Sequence, residues 1–471
     1  MKSYDLIVIG AGPAGEKGAA QAAYFGKKVA IVEPSARPGG IAMSNAGIPT
    51  KALREGAIYL SGLGQSAFAA PPPGGTDFWS HLKARKVEVA DFLMKGVERN
   101  LTRHGIARHA GRARLLPGRR VEVTRADGTA ELLEARIVLI ACGSRPRRLD
   151  TLPVDGRDVH DSETILTMDS APGSLLVVGD GPAGCEYASI FATIGTRVTL
   201  VSPGDHLLPT LDDETARILA ECFNGLGVRV MPRTTVVRLQ RASTDGAPGL
   251  EATLTDGRTI PVAKVLVAVG RQPSIEGLGL EEAGVEVRPD GWLRVDERFE
   301  TTARGVYAAG DILGPPGLAS TAMEQARVAM CRAFGIPFKT EADRFRPTYV
   351  FTIPETAAVG LTEEQVRAAG LPYETGRCSF VTNAKARISG FPEGQVKLLF
   401  RSDDKRLLGV HIVGELASEL IHIGQFVLQT GGTIDRFIDA TFAVPSRSEA
   451  YKYAAYDGLG RLALHEVRRV S

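Results

Sequence analysis

Two stretches of the chain carry the same pattern of hydrophobic and polar positions. The first is DLIVIGAGPAGEKGAAQAAYFGKKVAIVEP, from Asp5 to Pro34, and the second is SLLVVGDGPAGCEYASIFATIGTRVTLVSP, from Ser174 to Pro203. The two stretches align without a gap. Each has a short aliphatic run, a glycine-rich turn, an alanine-rich stretch and a second aliphatic run. This order predicts a strand, a helix and a second strand in each copy, and hence an α/β fold.

The turn in each copy has the spacing G-x-G-x-x-G. Its glycines are Gly10, Gly12 and Gly15 in the first copy and Gly179, Gly181 and Gly184 in the second. Between a strand and a helix, such glycines allow a tight turn and the close approach of a pyrophosphate to the helix N-terminus. Pro13 and Ala14 belong to the first of these loops. We therefore expect two Rossmann-like domains that each bind a dinucleotide.

The two copies differ where the second aliphatic run ends. The first copy ends AIVEP, which places Glu33 where an acid can bind an adenosine ribose hydroxyl, whereas the second ends TLVSP with Ser202 at that position. An acid there disfavours a 2′-phosphate, and arginines just after it favour one. Ser202 does neither, so the second site stays open between NAD and NADP. A serine that merely ends the strand fits the sequence equally well.

The segments outside the two copies predict further elements. GQSAFAAPPPGGTDF, residues 64–78, is typical of a loop, and residues 77–104 have the apolar spacing of a helix. The segment RVEVTRADGTAEL alternates around a turn, which favours two strands. From Arg346 the pattern changes to strands such as QVKLLFR and LLGVHIVG and ends in the helical SRSEAYKYAAYDGLGRLALHEV. This last block predicts a separate α+β domain without a nucleotide motif.

Composition excludes several other classes of protein. The 471 residues carry a formal net charge of +2, which gives no electrostatic case for a nucleic acid or a membrane surface as partner. No apolar run approaches the ~20 residues that a membrane span needs, and no cleavable leader is evident, so we expect a cytoplasmic protein. Five scattered cysteines support neither a disulfide framework nor a zinc site, and we expect no metal.

Three further motifs resemble those of the flavoprotein disulfide reductases, a family that includes glutathione reductase and dihydrolipoamide dehydrogenase. ACGSRP is similar to the family's A-T-G-S-x-P turn, TTARGVYAAGD to its second FAD motif, and AVGRQPS to a segment near the nicotinamide. The resemblance covers essentially the whole chain and implies FAD at the first glycine loop and NAD or NADP at the second. The resemblance also implies further cofactor-binding residues, namely Gly40, Gly143, Ser144, Gly270, Arg271, Gly310 and Asp311. Arg271 is implied to lie near the nicotinamide cofactor, and Asp311 to hold the ribityl–pyrophosphate part of FAD.

The same resemblance shows what this chain lacks. The family carries two cysteines after its glycine pair, and their positions here are Ala42 and Gly47, in the segment GGIAMSNAGIPTKALRE. The family's C-terminal H-P-x-x-S-E is VPSRSE here, so Val444 replaces the histidine while Glu449 remains. Dithiol chemistry needs a thiolate and a proton donor. Reduction of a disulfide substrate by that relay is therefore excluded.

The residues that the family uses to pass a hydride between nicotinamide and flavin are retained in this chain. The resemblance implies that Lys51 lies beside the flavin and pairs with Glu186, and both are therefore our candidate catalytic and cofactor-binding residues. A cation there would stabilise negative charge on the reduced flavin. A surface lysine at position 51 and a helix first-turn acid at position 186 are the alternatives.

One branch of the family, the soluble pyridine nucleotide transhydrogenases, is most similar to this chain. CEYASIFATIG, IPTKALRE and PSRSEAYKYAAYDGLGRL carry that resemblance. It implies an enzyme that moves a hydride between NADPH and NAD⁺ through bound FAD without a redox disulfide. An NAD(P)H-dependent quinone or dye reductase is the alternative, with the acceptor stacked in an apolar space at Ala42, Gly47 and Val444. A catalytically silent flavoprotein, kept as a scaffold or sensor, is the third possibility.

The resemblance also implies a domain order. Residues 1–150 form the first part of an FAD-binding domain, residues 151–270 an NAD(P)-binding domain, and residues 271–345 the second, central part of the FAD domain. Residues 346–471 form a dimerisation domain, which implies a homodimer.

Overall fold

The computed structural model describes residues 1–63, 78–244 and 247–470. The loop predicted at residues 64–78 lies outside these residues except for Phe78. The chain forms two compact units, each assembled from three chain segments. The first unit contains Met1–Ala52, Ala84–Arg147 and Arg271–Asp343, and the second contains Leu53–Lys83, Arg148–Gly270 and Arg344–Ser471. The predicted boundaries between FAD, NAD(P) and dimerisation domains remain predictions.

The strands and helices are numbered in chain order. Residues up to 147 form β1 (Lys2–Ile9), α1 (Pro13–Tyr24), β2 (Val29–Glu33), α2 (Gly40–Ser44), α3 (Pro49–Ser61), α4 (Phe78–Arg103), β3 (Ala107–Ala110), β4 (Arg112–Leu116), β5 (Arg120–Thr124), β6 (Ala130–Ile140) and β7 (Ser144–Pro146). Residues 148–270 form β8 (Val159–Asp161), β9 (Ser174–Val178), α5 (Pro182–Thr193), β10 (Arg197–Val201), α6 (Asp213–Gly225), β11 (Arg229–Met231), β12 (Val236–Thr244), β13 (Ala247–Leu254), β14 (Thr259–Val262) and β15 (Lys264–Val267).

The remaining residues complete the list. They form β16 (Arg271–Pro273), β17 (Val306–Ala308), α7 (Ala319–Ala333), β18 (Thr348–Val350), β19 (Thr356–Gly360), α8 (Glu363–Ala368), β20 (Tyr373–Ser379), α9 (Ala384–Ile388), β21 (Gln395–Arg401), β22 (Leu407–Val413), α10 (Ala417–Gln429), α11 (Asp435–Asp439) and α12 (Ala450–Val470). The predicted strand–helix–strand repeats, the helix predicted over residues 77–104 and the C-terminal α+β block are confirmed.

The first unit is built on a seven-stranded sheet. Its order is β3-β2-β1-β6-β5-β4, with β17 paired to β6, and β1, β2, β3, β6 and β17 run parallel. Leu6 and Val8 face one side of the sheet and pack with the small residues of α1 and α7. Ile7 and Ile9 face the other side, in a second core cluster. The carboxyl ends of the parallel strands therefore meet at one edge, where nucleotides bind in such sheets.

The second unit contains the second copy of this arrangement. Strands β11, β10, β9, β15 and β8 lie side by side in that order and are all parallel. Residues 236–262 add a three-stranded antiparallel sheet. The C-terminal segment forms a five-stranded antiparallel sheet in the order β18-β19-β22-β21-β20, and its core includes side chains of α10 and α12.

A buried ionic cluster joins α6 to the C-terminal sheet within the second unit. Lys397 is fully buried, and its Nζ lies 2.9 Å from Asp212, 3.0 Å from Glu214 and 2.6 Å from Glu363. The Arg377 guanidinium also contacts Glu214, at 2.7 Å. Burial alone would raise the pKa of Glu214, but hydrogen bonds from Arg377, Gln395 and Lys397 lower it to about 2. The sequence pattern gave no sign of this cluster.

Candidate nucleotide sites

The first glycine loop has the geometry of a phosphate site. A Cβ on Gly10 would lie 2.5 Å from the carbonyl oxygen of Ala141, and one on Gly15 would lie 1.8 Å from that of Gly10. These two glycines are therefore required by the tight packing of β1, β6 and α1. A Cβ on Gly12, in contrast, would have only Gly40 near it, at 3.9 Å. The middle glycine thus faces open space, which fits the close approach of a pyrophosphate to the start of α1.

Glu33 lies where the sequence predicted it, at the end of β2. Its Oε2 accepts a hydrogen bond from the main-chain N–H of Ala11 at 2.8 Å, and Oε1 accepts one from Ser35 at 2.9 Å. The carboxylate is therefore fixed beside the glycine loop. This is the position from which an acid binds an adenosine ribose in such folds.

The other predicted FAD residues of the first unit come together around Ser144. The hydroxyl of Ser144 donates to Asp311 at 3.1 Å and accepts from Nε of Arg271 at 2.7 Å. Arg271 also donates to the carbonyl oxygen of Ser144 at 2.7 Å. Gly143, with φ 71°, accepts from the main-chain N–H of Ser274. The role of Arg271 beside the nicotinamide remains a prediction.

Gly310 connects this cluster to the first glycine loop. Its φ is 85°, and a Cβ there would lie 3.0 Å from the side chain of Ala14. Its N–H donates to Gln325 at 2.9 Å. The start of α1 and the carboxylate of Asp311 are therefore next to each other, as one extended ligand requires.

The second glycine loop repeats the geometry of the first. A Cβ on Gly179 would lie 2.3 Å from the carbonyl oxygen of Ala268, and one on Gly184 would lie 2.1 Å from that of Gly179. A Cβ on Gly181 would have no heavy atom within 4 Å. Gly270, at φ 101°, ends the neighbouring loop of the same unit and is also open on this criterion. Both loops thus have two packing glycines around one glycine that faces free space.

Ser202 is more than the end of a strand. Its side chain is fully buried, and its hydroxyl donates to Oδ2 of Asp180 at 2.5 Å. The N–H of Gly204 donates back to the same hydroxyl at 3.1 Å. Sequence analysis missed Asp180, although the gap-free alignment places it opposite Ala11.

The segment that carries the cysteines in the resembling family is closed around Gly47 in this chain. A Cβ at Gly47 would lie 2.5 Å from Cα and from the carbonyl oxygen of Ala42, which is closer than real Cβ atoms approach. The N–H of Ile48 donates to that same carbonyl at 2.8 Å. The main chain of Ala42 therefore occupies the place that a side chain at position 47 would take, and the apolar space expected at Ala42, Gly47 and Val444 remains a prediction. Val444 belongs to the second unit and is 78% exposed.

Lys51 and Glu186 belong to different units, so their predicted pairing remains a prediction. Lys51 is the third residue of α3, and its Nζ lies 3.4 Å from the hydroxyl of Thr50. Glu186 follows the first turn of α5, and its Oε1 accepts the main-chain N–H of Phe351 at 3.0 Å. The alternative of a first-turn acid at position 186 is therefore wrong.

The cysteines have the properties of unreactive thiols. All five are free, with Cys185 and Cys331 buried and the other three partly buried. Burial raises the pKa of Cys142 and of Cys222 to about 12, and that of Cys378 to about 11. A thiol with such a pKa carries little thiolate near neutral pH. No cysteine therefore takes the place of the missing redox pair.

The sequence predicts neither a metal-binding set of side chains nor a membrane-spanning helix. Within the described ranges, no set of three or more His, Cys, Asp or Glu side chains is arranged to hold a metal ion. Across those same residues, no helix is both long and apolar enough to cross a membrane.

Known proteins share this fold and much of this sequence. Residues 4–326 match the pyridine nucleotide-disulphide oxidoreductase model, and residues 346–455 match the dimerisation domain of the same name. The soluble pyridine nucleotide transhydrogenase of Mycobacterium tuberculosis (strain ATCC 25177 / H37Ra) is 37% identical over 475 aligned positions, covering 100% of both chains. That of Pseudomonas putida is 35% identical and covers 98% of this chain and 99% of its own.

Solved structures agree with these sequence matches. The crystal structure of LpdA from Mycobacterium tuberculosis superimposes with a TM-score of 0.87 at 30% identity, covering 97% of this chain and 99% of that chain. The HOCl-induced flavoprotein disulfide reductase RclA from Escherichia coli gives 0.85 at 27% identity, covering 96% and 99%. The two glycine loops, the cluster around Ser144 and these matches lead to one conclusion: the chain belongs to the pyridine nucleotide-disulphide oxidoreductase family and is an FAD-dependent oxidoreductase of nicotinamide nucleotides.

Proposed function

We propose that this chain is a transhydrogenase that catalyses NADPH + NAD⁺ → NADP⁺ + NADH without a redox disulfide. The observation that carries the proposal is the segment around Gly47, where Ala42 and Gly47 stand at the family's cysteine positions and a Cβ at position 47 would lie 2.5 Å from the main chain of Ala42. Both glycine loops are nevertheless built for dinucleotides. The enzyme has thus kept the groups that bind cofactors and lost those that reduce disulfides.

The chain's own residues supply position and charge. FAD, when bound, provides the two-electron chemistry that links one nicotinamide to the other. The first glycine loop and Glu33 would hold its adenosine end, and Ser144 and Asp311 would hold its middle. The second glycine loop binds one nicotinamide dinucleotide at a time. Lys51, with Glu186 as the partner that the family resemblance implies, would supply a positive charge to bound flavin, and such a charge favours the reduced state.

The relatives support this function over the alternatives. The curated proteins from Mycobacterium tuberculosis and Pseudomonas putida that match over their full length are both named soluble pyridine nucleotide transhydrogenases. The quinone alternative required an apolar space at positions 42, 47 and 444. The relatives that match over their full length are named for transhydrogenation and not for quinone reduction, so we do not propose a quinone as acceptor.

Assembly and location follow from the same argument. Residues 346–455 match a dimerisation domain, and we propose a homodimer formed through residues 346–471. Phe426, Tyr453 and Tyr456 are large exposed side chains of α10 and α12 that fit such a contact. We also propose that the protein acts in the cytoplasm, where both nicotinamide cofactors are available.

Anaerobic stopped-flow spectroscopy tests the proposed function. The holoenzyme is mixed with NADPH and the loss of flavin absorbance is followed, and thio-NAD⁺ is then added to the reduced enzyme. We expect bleaching by NADPH and rapid return of the flavin absorbance with thio-NAD⁺. Bleaching that menadione alone reverses would replace the proposal with a quinone reductase. No bleaching by NADPH or NADH would indicate a catalytically silent flavoprotein.

Variants of Lys51 test its assigned role. We expect Lys51→Met to slow flavin reduction at least about tenfold, which corresponds to about 1.4 kcal/mol of barrier, and to lower the flavin reduction potential. Lys51→Arg, which keeps the charge, should retain most of the rate. Lys95→Met, at a lysine of α4 whose side chain is 59% exposed, is the matched control and should behave like the parent enzyme.

A further inference from the structure

The two glycine-loop copies each carry one acid, but at different positions of the shared pattern. In the gap-free alignment, Ala11 and Glu33 of the first copy stand opposite Asp180 and Ser202 of the second. The first copy thus has its acid at the end of the second strand and a small residue in the loop. The second copy has the acid in the loop and a small polar residue at the strand end.

The structure brings the two acids to corresponding places. In the first copy, the Glu33 carboxylate reaches back from the strand end and accepts the N–H of Ala11 at 2.8 Å. In the second copy, the Asp180 carboxylate reaches out from the loop and accepts the hydroxyl of Ser202 at 2.5 Å. A Cβ on Gly204 would lie 3.3 Å from Oδ2 of Asp180, so the carboxylate lies just beyond the end of β10.

We propose that Asp180 binds the adenosine ribose in the second nucleotide site and makes that site prefer NAD(H) to NADP(H). The proposal rests on the proposed function in one respect, namely that the second loop binds a nicotinamide dinucleotide. The carboxyl end of the second strand is where dinucleotide folds bind the ribose 2′-hydroxyl. A carboxylate accepts a hydrogen bond from that hydroxyl and repels a 2′-phosphate, whose charge is about −2.

Ser202 has a positioning role in this arrangement. Its hydroxyl oxygen lies 2.5 Å from Oδ2 of Asp180 and 3.3 Å from the carbonyl oxygen of Gly204, so Asp180 is the nearer acceptor, and the N–H of Gly204 donates to the hydroxyl at 3.1 Å. Ser202 bonds to Oδ2 of the half-buried Asp180, and we infer that Oδ1 is the oxygen that accepts the ribose hydroxyl. A buried serine that seemed neutral in the sequence thus holds the charged group that decides the preference.

One nearby cation could oppose this preference. The N–H of Arg233 donates to the carbonyl oxygen of Gly204 at 2.9 Å, which places an arginine beside the same loop. Its side chain is 79% exposed and lies 3.7 Å from Asp205, which is itself 78% exposed. Solvent screens so exposed a charge strongly, whereas Asp180 is half-buried. We therefore assign the larger effect to Asp180.

Binding of nicotinamide-free ligands tests the proposal directly. Isothermal titration calorimetry of the oxidised holoenzyme compares ADP-ribose with 2′-phospho-ADP-ribose. We expect the parent protein to bind ADP-ribose at least about tenfold more tightly, and Asp180→Asn to reduce this ratio at least about tenfold. Glu221→Gln, which removes an equal but exposed charge from α6 of the same unit, is the matched control and should leave the ratio within about twofold.

A second variant separates position from charge. Ser202→Ala keeps the carboxylate but removes the hydrogen bond that orients it, so we expect the ratio to fall between those of the parent and Asp180→Asn. Flavin content and thermal unfolding of each variant establish that the fold is retained. If Asp180→Asn does not fold, Ser202→Ala together with the parent ratio still decides the matter.

Several outcomes would overturn the proposal. Equal or tighter binding of 2′-phospho-ADP-ribose by the parent protein would do so, especially if Arg233→Gln abolished it. An unchanged ratio in Asp180→Asn would also do so. Neither outcome bears on hydride transfer, because these ligands carry no nicotinamide. Failure of NADPH and NADH to bleach the flavin would instead refute the proposed function while leaving the binding comparison intact.

Discussion

Gly181→Ala is expected to remove nucleotide binding without weakening the fold. Gly181 has φ −74° and ψ 179°, which alanine adopts without strain, and its Cβ would have no heavy atom within 4 Å. The loss of backbone freedom in the unfolded chain and the weaker capping by alanine nearly cancel. The free energy of unfolding should therefore change by no more than about 1 kcal/mol.

The cost to binding follows from the same geometry. The new methyl group extends about 1.5 Å from the backbone into the space that the pyrophosphate must approach. Moving a phosphate outward by that distance breaks hydrogen bonds from the first N–H groups of α5. A hydrogen bond to a charged group contributes about 1.5–3 kcal/mol, so the loss of one or two costs about 3 kcal/mol. The Kd for ADP-ribose should therefore rise roughly 100-fold.

Gly184→Ala is the matched comparison in the same loop. Its Cβ would lie 2.1 Å from the carbonyl oxygen of Gly179, so the main chain must move and the protein should lose thermal stability. The assay combines calorimetric titration with ADP-ribose and thermal unfolding of both variants at equal flavin content. Parent-like binding by Gly181→Ala would show that the pyrophosphate does not lie over this loop. A larger loss of stability in Gly181→Ala than in Gly184→Ala would refute the geometric argument itself.

Three further predictions concern other parts of the chain. The double variant Ala42→Cys/Gly47→Cys should form no disulfide that NADPH reduces, because the main chain leaves no space at position 47; a gain of two thiols on NADPH addition, absent from Ala42→Cys alone, would contradict this. Burial raises the pKa of Glu214, but its hydrogen bonds and the Lys397 charge outweigh burial and lower it from 4.5 to about 2, and this net shift corresponds to about 3 kcal/mol of stability that is present above pH ~4.5 and lost as the pH falls towards 2. Thermal unfolding of Glu214→Gln should accordingly depend less on pH in that window, and a parent-like pH dependence would count against the ionic cluster. Because the pKa of Cys142 is about 12 and that of Cys378 about 11, the native protein should react slowly with DTNB at pH 8 and release the signal of all five thiols only after unfolding; immediate reaction would contradict their burial.

Local patterns predicted most of the secondary structure and the two glycine loops. Continuous aliphatic runs such as DLIVI and SLLVV became the central strands of two parallel sheets, because both faces of each strand are covered. The glycine spacing predicted a tight turn and the close approach of a pyrophosphate, and the structure divides these roles among the glycines. Gly10 and Gly15 pack against main chain, while Gly12 faces open space.

The features that sequence reasoning missed depend on three-dimensional neighbours. Asp180 was overlooked because the acid was expected at the strand end, whereas its side chain reaches Ser202 from the loop. The packing of Gly47 against the main chain of Ala42 was likewise not evident from the residues that stand at the cysteine positions. The contacts of Lys397 with acids far away in the sequence were also beyond any local pattern. In each case the contact joins residues whose proximity cannot be read from the spacing of hydrophobic and polar positions.

The central claim is that hydride exchange between nicotinamides proceeds here without any thiol. The most direct measurement incubates the holoenzyme with NADPH and N-ethylmaleimide, and then compares turnover with thio-NAD⁺ and with glutathione disulfide. We predict undiminished turnover with thio-NAD⁺ and none with the disulfide. Loss of thio-NAD⁺ turnover that requires both NADPH and the alkylating reagent, or measurable reduction of glutathione disulfide, would contradict the account.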